Sequence, residues 1–122
     1  MIENLKQIED KMLLDLLVQP EKWNTLLINY YPPTVERCWI QLGNYRLLLH
    51  FIHECKPEEA LFHTHRYPSA MHVLNGKYEM GLGFGAGTVP PEKMATILFE
   101  NGGYYDMTHI DGWHYVRPIG GP

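Results

Sequence analysis

Few features of this sequence point to a secreted, membrane-spanning or nucleic-acid-binding protein. Its only two cysteines, Cys38 and Cys55, do not form a C-x-x-C pair, so they favour two buried thiols over a disulfide framework or a zinc ribbon. No apolar run approaches the roughly 20 residues that a membrane-spanning helix needs. The first residues lack the basic and apolar regions of a signal peptide. We therefore expect a cytoplasmic protein with no membrane partner.

An excess of basic charge is also missing. The chain has 10 lysines and arginines against 14 acidic residues, a net charge of -4, and its basic residues are scattered. This balance argues against nucleic acid as a partner and favours a small-molecule ligand. At 122 residues, of which 45% are hydrophobic, the chain is long enough for one domain with its own core. We expect residues 1–122 to form that single domain.

Helical periodicity is confined to the start of the chain. Apolar residues recur at steps of three and four over residues 2–19, and Pro20 ends the pattern. From residue 23 onward, short β-favouring runs alternate with turn residues, and Asn75-Gly76 is the strongest hairpin signal. The predicted strands are residues 26–31, 35–42, 45–55, 60–65, 71–74, 77–84, 94–100, 104–109 and 114–117. Nine short strands predict an all-β sandwich or barrel over residues 23–118, with one N-terminal α-helix.

The residues with the clearest chemistry are His63, His65 and His114. Side chains alternate along a strand, so His63 and His65 share a face and one ion could touch both rings. Neutral imidazole is the commonest ligand for zinc, iron, copper and nickel. Three such ligands leave coordination positions open to water, oxygen or substrate, as catalytic metal sites do.

The pattern over residues 43–118 resembles the cupin superfamily of small jelly-roll β-barrels. His63, His65 and Gly76 match its first motif, in which Ser69 takes the place of the motif glutamate. The strand leading to His114 has the layout of the second motif, with Asp111-Gly112 in place of Pro-Gly and one residue fewer before the histidine. The resemblance implies a jelly-roll barrel whose interior site is formed by His63, His65 and His114. It also implies a divalent metal cofactor, which is Fe, Mn, Ni or Zn.

The other histidines have less specific interpretations. On strand parity, His53 shares a face with Leu47 and could point into the barrel beside the site, although a hydrogen-bonded core histidine is the simpler interpretation. His72 is expected to face away from the site and to pack. His109 is expected at the surface, the alternative being an outer-shell or substitute ligand. Among other polar residues on the strands, Tyr78, Glu79 and Arg46 could supply acid, base or anion-binding groups if they face inward.

Three functions fit these patterns. The first is a metal-dependent enzyme, such as a dioxygenase or an isomerase, acting on a small organic substrate, with Tyr or Glu side chains as proton donors. The second is a non-catalytic cupin that binds a metabolite or a metal. The third is a structural barrel with an empty pocket. Apolar residues in the helix and in the first strand predict a homodimer. Unperturbed imidazoles would release metal as the pH falls through about 6 to 7.

Overall fold

The computed structural model describes residues 1–65 and 67–119. The N-terminal segment is helical, as predicted, and consists of α1 (Ile2–Ile8), a π-helical turn (Glu9–Leu13) and α2 (Leu14–Leu17). The helix ends two residues earlier than predicted. Gln19 has a φ of -123°, because the residue before a proline is pushed out of the helical region, and a 3-10 turn (Pro20–Lys22) follows.

In the part of the chain that the structure describes, nine strands follow the helix, and each overlaps a strand predicted from the sequence. The ends differ by one to three residues in most of them, and the predicted strand 60–65 contracts to two residues. The strands are β1 (Asn24–Ile28), β2 (Val35–Leu42), β3 (Tyr45–Ile52), β4 (His63–Thr64), β5 (Ser69–His72), β6 (Tyr78–Phe84), β7 (Ala95–Phe99), β8 (Tyr104–Met107) and β9 (Gly112–Pro118).

These strands form three antiparallel sheets, with the orders β1-β2-β3, β4-β9-β6-β7 and β5-β8. The all-β class with one N-terminal helix is therefore confirmed. Over residues 1–65 and 67–119 the hydrogen-bonded ladders do not close into one cylinder, so the jelly-roll barrel is not established by the strand pairing.

The predicted Asn75-Gly76 hairpin is wrong. Gly76 does take the positive φ that a tight turn needs, 93°, but β5 and β6 on either side of the turn lie in different sheets. The backbone of Val73 instead bonds to the turn before β8, accepting from the Gly102 N–H and donating to the Gly103 carbonyl. The turn thus carries the chain from one sheet to another, because tertiary partners compete successfully with the local hairpin.

The interior lies between the sheets and is lined by alternate residues of β6, β8 and β9. Met80 on β6, Met107 on β8 and His114 on β9 are buried, with exposures of 3%, 7% and 2%. His114 is the one buried polar residue in the described part of the chain. A buried polar ring beside apolar side chains is uncommon and indicates a functional site at this place in the fold.

The N-terminal helix docks on the outer face of the β5-β8 sheet through Glu9. Its half-buried carboxylate accepts hydrogen bonds from His72 Nδ1 at 2.8 Å and from the Tyr104 hydroxyl at 3.0 Å. The other helix face leaves Leu14 and Val18 exposed at 78% and 77%. No helix in residues 1–65 and 67–119 combines the length and the apolar character that spanning a bilayer requires.

Candidate metal centre

The β4-β9 ladder brings the three predicted histidines together. His63 pairs with His114 across the ladder, and His65 follows two residues after His63 on the same side. The Nε2 atoms of His65 and His114 are 2.6 Å apart, and the His63 ring lies 4.7 Å from the His114 ring between centroids. One nitrogen from each ring lies within 4.8 Å of the others. Two imidazoles on adjacent positions of an ion are about 3 Å apart at metal–nitrogen distances of about 2.0–2.2 Å, so the hydrogen-bonded pair of His65 and His114 would open by a few tenths of an ångström around an ion.

Each of the three rings has a protein partner for its other nitrogen. His63 Nδ1 donates to the Leu61 carbonyl at 2.8 Å, and His114 Nδ1 contacts Met80 Sδ at 3.3 Å. In His63 the proton held on Nδ1 leaves the lone pair on Nε2, which is the tautomer that an Nε2 ligand requires. His65 and His114 share one proton between their Nε2 atoms, and a bound ion would take the place of that proton. The protein scaffold therefore orients these rings toward one shared point.

Ser69, at the position of the motif glutamate, acts on the outer side of the same cluster. Its Oγ lies 3.5 Å from His65 Nδ1 and donates its own proton to the Tyr67 carbonyl at 3.1 Å. The lone pairs of Oγ thus remain available to accept from His65. Ser69 does not add a charged ligand, so any ion would be held by neutral groups alone.

The electrostatics of the cluster keep the imidazoles neutral. Burial lowers the pKa of His65 to about 4 and that of His114 to about 2. Repulsion from His63 adds to both shifts, and repulsion from His65 adds to that of His114. The pKa of His63 is lowered as well, by burial. The expectation that protons compete with metal at about pH 6 to 7 is therefore wrong for the folded chain, because burial moves this competition to more acidic pH.

Two residues that the sequence interpretation did not assign to the site, Arg37 and His50, lie near it. They pair across β2 and β3, and Arg37 Nε donates to His50 Nε2 at 2.9 Å. The Arg37 charge contributes to the lowered pKa of His65, and burial lowers the pKa of His50 to about 4, with smaller contributions from Arg37 and His65.

His53 does not lie beside the site, which corrects the prediction from strand parity. It follows the end of β3 and bonds to Glu36 at 2.8 Å. Glu36 is next to Arg37 on β2, so its side chain is on the opposite face of that sheet. The face of β3 that points toward the cluster carries His50, and the face with Leu47 and Phe51 points away. The sequence does fix this register. A two-residue turn at Gly43-Asn44 pairs Leu42 with Tyr45, and counting back along both strands from that pair places His50 opposite Arg37.

The remaining histidines lie outside the cluster. His72 faces away from it, as predicted, and stacks on Tyr104 with ring centroids 3.9 Å apart. His109 is exposed and accepts the Asp111 backbone N–H at 3.1 Å, so it has the predicted surface position and stabilises the turn before β9.

Of the three strand residues considered as acid, base or anion-binding groups, Tyr78 shares the face of β6 that carries Met80 and points to the interior. Glu79 points to the opposite face of β6, where it bonds to Arg117 Nη2 at 3.0 Å, and the Arg46 guanidinium lies 4.4 Å above the Trp39 ring. The Tyr78 ring packs edge-on against the Tyr105 ring of β8, with the ring centroids 6.0 Å apart. The Tyr105 ring lies 6.4 Å from the His114 ring between centroids.

The tyrosine pair is held in its protonated form. Burial raises the pKa of both phenols, and the neighbouring Tyr105 raises the pKa of Tyr78 further. Tyr105, the phenol whose ring lies near His114, was not identified from the sequence, because its position depends on the pairing of β8 with β5.

No protein-family model matches this chain, and neither a curated protein nor a solved structure matches it. The mostly β architecture and the three-histidine cluster are compatible with a cupin-like fold.

Proposed function

We propose that His63, His65 and His114 bind one divalent transition-metal ion, and that this cupin-like domain is a metal-dependent enzyme for a small organic substrate. The observation that carries the proposal is the convergence of one ring nitrogen from each of the three histidines, while Nδ1 of each ring contacts a protein partner. A neutral imidazole set suits iron, nickel, copper or zinc, and disfavours magnesium and calcium, which prefer oxygen ligands. Iron, manganese, nickel and zinc remain the candidates from the sequence resemblance.

A catalytic role is favoured over storage or sensing by the interior tyrosines. The ion, when bound through three protein ligands, keeps open positions and supplies Lewis-acid or oxygen-activating chemistry. Tyr105 carries a phenolic proton, and its ring lies 6.4 Å from the His114 ring between centroids, so it is the candidate proton donor. An acid beside an open metal position is the arrangement that substrate turnover needs.

The single domain over residues 1–122, the cytoplasmic location and the homodimer stay predictions from the sequence. Exposed Leu14 and Val18 on the helix are the apolar surface from which the homodimer is expected. Sedimentation at high concentration checks the dimer, and a particle of only 14.2 kDa would contradict it.

The metal centre is tested by loading and by one substitution. Chelator-treated protein is titrated with Zn(II), Ni(II), Mn(II) and, without oxygen, Fe(II), and the bound metal is measured after desalting. We expect one ion per chain for at least one metal, and loss of affinity by more than ~100-fold in His114→Ala, because a ligand matters more than its hydrogen-bond partner. His53→Ala is the control, since it removes an exposed imidazole outside the cluster.

Circular dichroism on both variants separates loss of binding from loss of folding. Stoichiometric metal in folded His114→Ala would refute the three-histidine centre. Failure of the wild type to bind any of these ions would leave the pocket empty, in favour of the structural barrel. If the metal binds, Tyr105→Phe is expected to lower turnover of an identified substrate without changing metal content.

A further inference from the structure

The thioether of Met80 faces the most buried ring of the histidine cluster. Met80 Sδ is 3.3 Å from His114 Nδ1, and the two residues are exposed by only 3% and 2%. His114 pairs with Leu82 on β6, two residues from Met80, so the β6-β9 ladder places both side chains on one face. In residues 1–65 and 67–119, no other hydrogen-bond partner faces His114 Nδ1.

The other two rings have oxygen atoms at the same position. His63 Nδ1 donates to the Leu61 carbonyl at 2.8 Å, and His65 Nδ1 lies 3.5 Å from the Ser69 hydroxyl. A thioether sulfur is a weaker hydrogen-bond acceptor than either of these oxygens. Within the cluster, His114 is thus the ring whose outer nitrogen faces sulfur.

Metal ligation puts a proton on the side of the ring that faces Met80. His65 and His114 share one proton between Nε2 atoms 2.6 Å apart, and an ion would take its place. A neutral His114 ring that ligates through Nε2 carries its own proton on Nδ1, and that N–H points at Met80 Sδ. Because a buried N–H without an acceptor is costly, the sulfur supports this form of the ring.

The strength of the outer acceptor sets how strongly an imidazole binds an ion. An oxygen acceptor at Nδ1 raises the basicity of Nε2, whereas sulfur raises it only slightly. A trivalent ion gains more from a basic ligand than a divalent ion does, because its charge is higher. The three ligands are also neutral, and Ser69 adds no carboxylate. Both features favour the divalent state of a redox-active ion.

We propose that Met80 is a positioning residue that makes His114 the weakest of the three ligands and so holds a redox-active ion in its divalent state. This inference rests on the proposed metal function and names the residue that sets the redox state of the same site. Met80 acts through the ring and is not a ligand itself, since its sulfur lies on the Nδ1 side, away from Nε2.

The test replaces the sulfur with an oxygen acceptor or removes the acceptor altogether. Met80→Gln supplies an amide oxygen on a side chain of similar length, and Met80→Leu keeps an apolar side chain of similar volume. Met107→Leu is the matched control, because Met107 is a second buried methionine, with 7% exposure and no hydrogen bond to a histidine in the described chain. Zn(II) affinity is measured for the wild type and each variant, and circular dichroism checks the fold.

We expect Zn(II) affinity to increase from Met80→Leu through the wild type to Met80→Gln, with steps of ~10-fold, the lower end for partners of metal ligands. Met107→Leu should change it by no more than about threefold, as a volume-conserving swap. In iron-loaded protein, the Fe(III)/Fe(II) potential should fall by about 60 mV in Met80→Gln if the trivalent ion gains tenfold more than the divalent ion, and it should rise in Met80→Leu.

Nuclear magnetic resonance gives a measurement that does not require Met80→Gln to fold. In Zn(II)-loaded protein with isotopically labelled histidine, the His114 Nδ1 proton should resonate upfield of the His63 Nδ1 proton, because its hydrogen bond to sulfur is weaker. Met80→Leu should move the His114 signal further upfield and leave the His63 signal in place.

The outcomes separate this inference from the metal function. Stoichiometric Zn(II) with equal affinity in the wild type and the folded Met80 variants, or a His114 Nδ1 proton as far downfield as that of His63, would overturn the role of Met80 and leave the metal centre standing. An iron potential that is the same in the wild type and the folded Met80 variants, or a wild type that binds Zn(II) and no Fe(II), would overturn the redox claim. A wild type that binds neither ion would overturn both proposals.

Discussion

Acidification is expected to destabilise the metal-free protein well before its carboxylates titrate. The perturbation is a change from pH 7 to pH 5 in the presence of a chelator. His65 and His114 have pKa values lowered to about 4 and about 2, whereas an imidazole in the unfolded chain titrates near 6.5. Between these values the unfolded chain binds protons that the folded chain does not, so the free energy of unfolding falls as the pH falls.

The magnitude follows from the span of pH over which only the unfolded chain is protonated. Each imidazole contributes about 1.4 kcal/mol per pH unit below about 6.5, which is about 2 kcal/mol at pH 5. The pair therefore removes about 3 to 4 kcal/mol. Repulsion between the two rings does not alter this figure at pH 5, because both are still mostly neutral in the folded chain. The lowered pKa values of His63 and His50 act in the same direction.

Urea denaturation followed by tryptophan fluorescence at pH 7, 6 and 5 measures this loss. The double variant His65→Gln/His114→Gln is the control, and its free energy of unfolding should depend on pH less steeply by the same 3 to 4 kcal/mol, about 2 for each ring removed. Equal pH dependence in the wild type and the double variant would refute the conclusion that burial holds these rings neutral. Above pH 5 most carboxylates stay ionised, so they do not obscure the comparison.

Three further substitutions test other contacts of the fold and the site. Ser69→Ala should weaken metal binding by ~10-fold in a metal titration, because His65 loses the acceptor that orients its ring; unchanged affinity would assign Ser69 to packing alone. Glu9→Gln should lower the free energy of unfolding by about 1.5 to 3 kcal/mol in urea, with faster amide exchange over residues 2–17, because two hydrogen bonds lose their charge; exchange as slow as in the wild type would argue against Glu9 as the docking residue. Gly81→Ala should destabilise by 2 kcal/mol or more, at roughly the upper end for overpacking, because its Cβ would overlap the Tyr115 ring; a wild-type melting temperature would contradict the close approach.

Local patterns in the sequence predicted where the helix and the strands lie better than they predicted which strands pair with each other. The helix stops before Pro20 because proline acts on the residue next to it, and period-two alternation puts His63 and His65 on one side of β4. Both effects depend on neighbours in the chain. Asn75-Gly76 shows the limit, since the turn forms with the expected positive φ but the strands beside it pair elsewhere.

The sequence predicted the three histidines of the candidate site, but it did not predict the neighbouring residues or the effect of burial on the pKa values. His114 could be joined to the other two histidines only through the resemblance, since its pairing with His63 spans half the chain. His50 was missed in favour of His53 because parity alone does not say which face of β3 looks inward. The lowered pKa values could not be read from the sequence either, since they arise from burial among distant residues.

The short strand β5 links the N-terminal helix to the candidate site. Because side chains alternate, Ser69 at its start faces His65, while His72 at its end faces Glu9 of the helix. The paired strand β8 repeats this division, with Tyr105 toward the interior and Tyr104 toward Glu9. Glu9 of the helix bonds to both strands and so holds the β5-β8 sheet in place. That sheet carries Ser69, which contacts His65, and Tyr105, whose ring lies near His114. The docking of the helix thus belongs to the construction of the site, and its loosening should disturb the cluster from a distance.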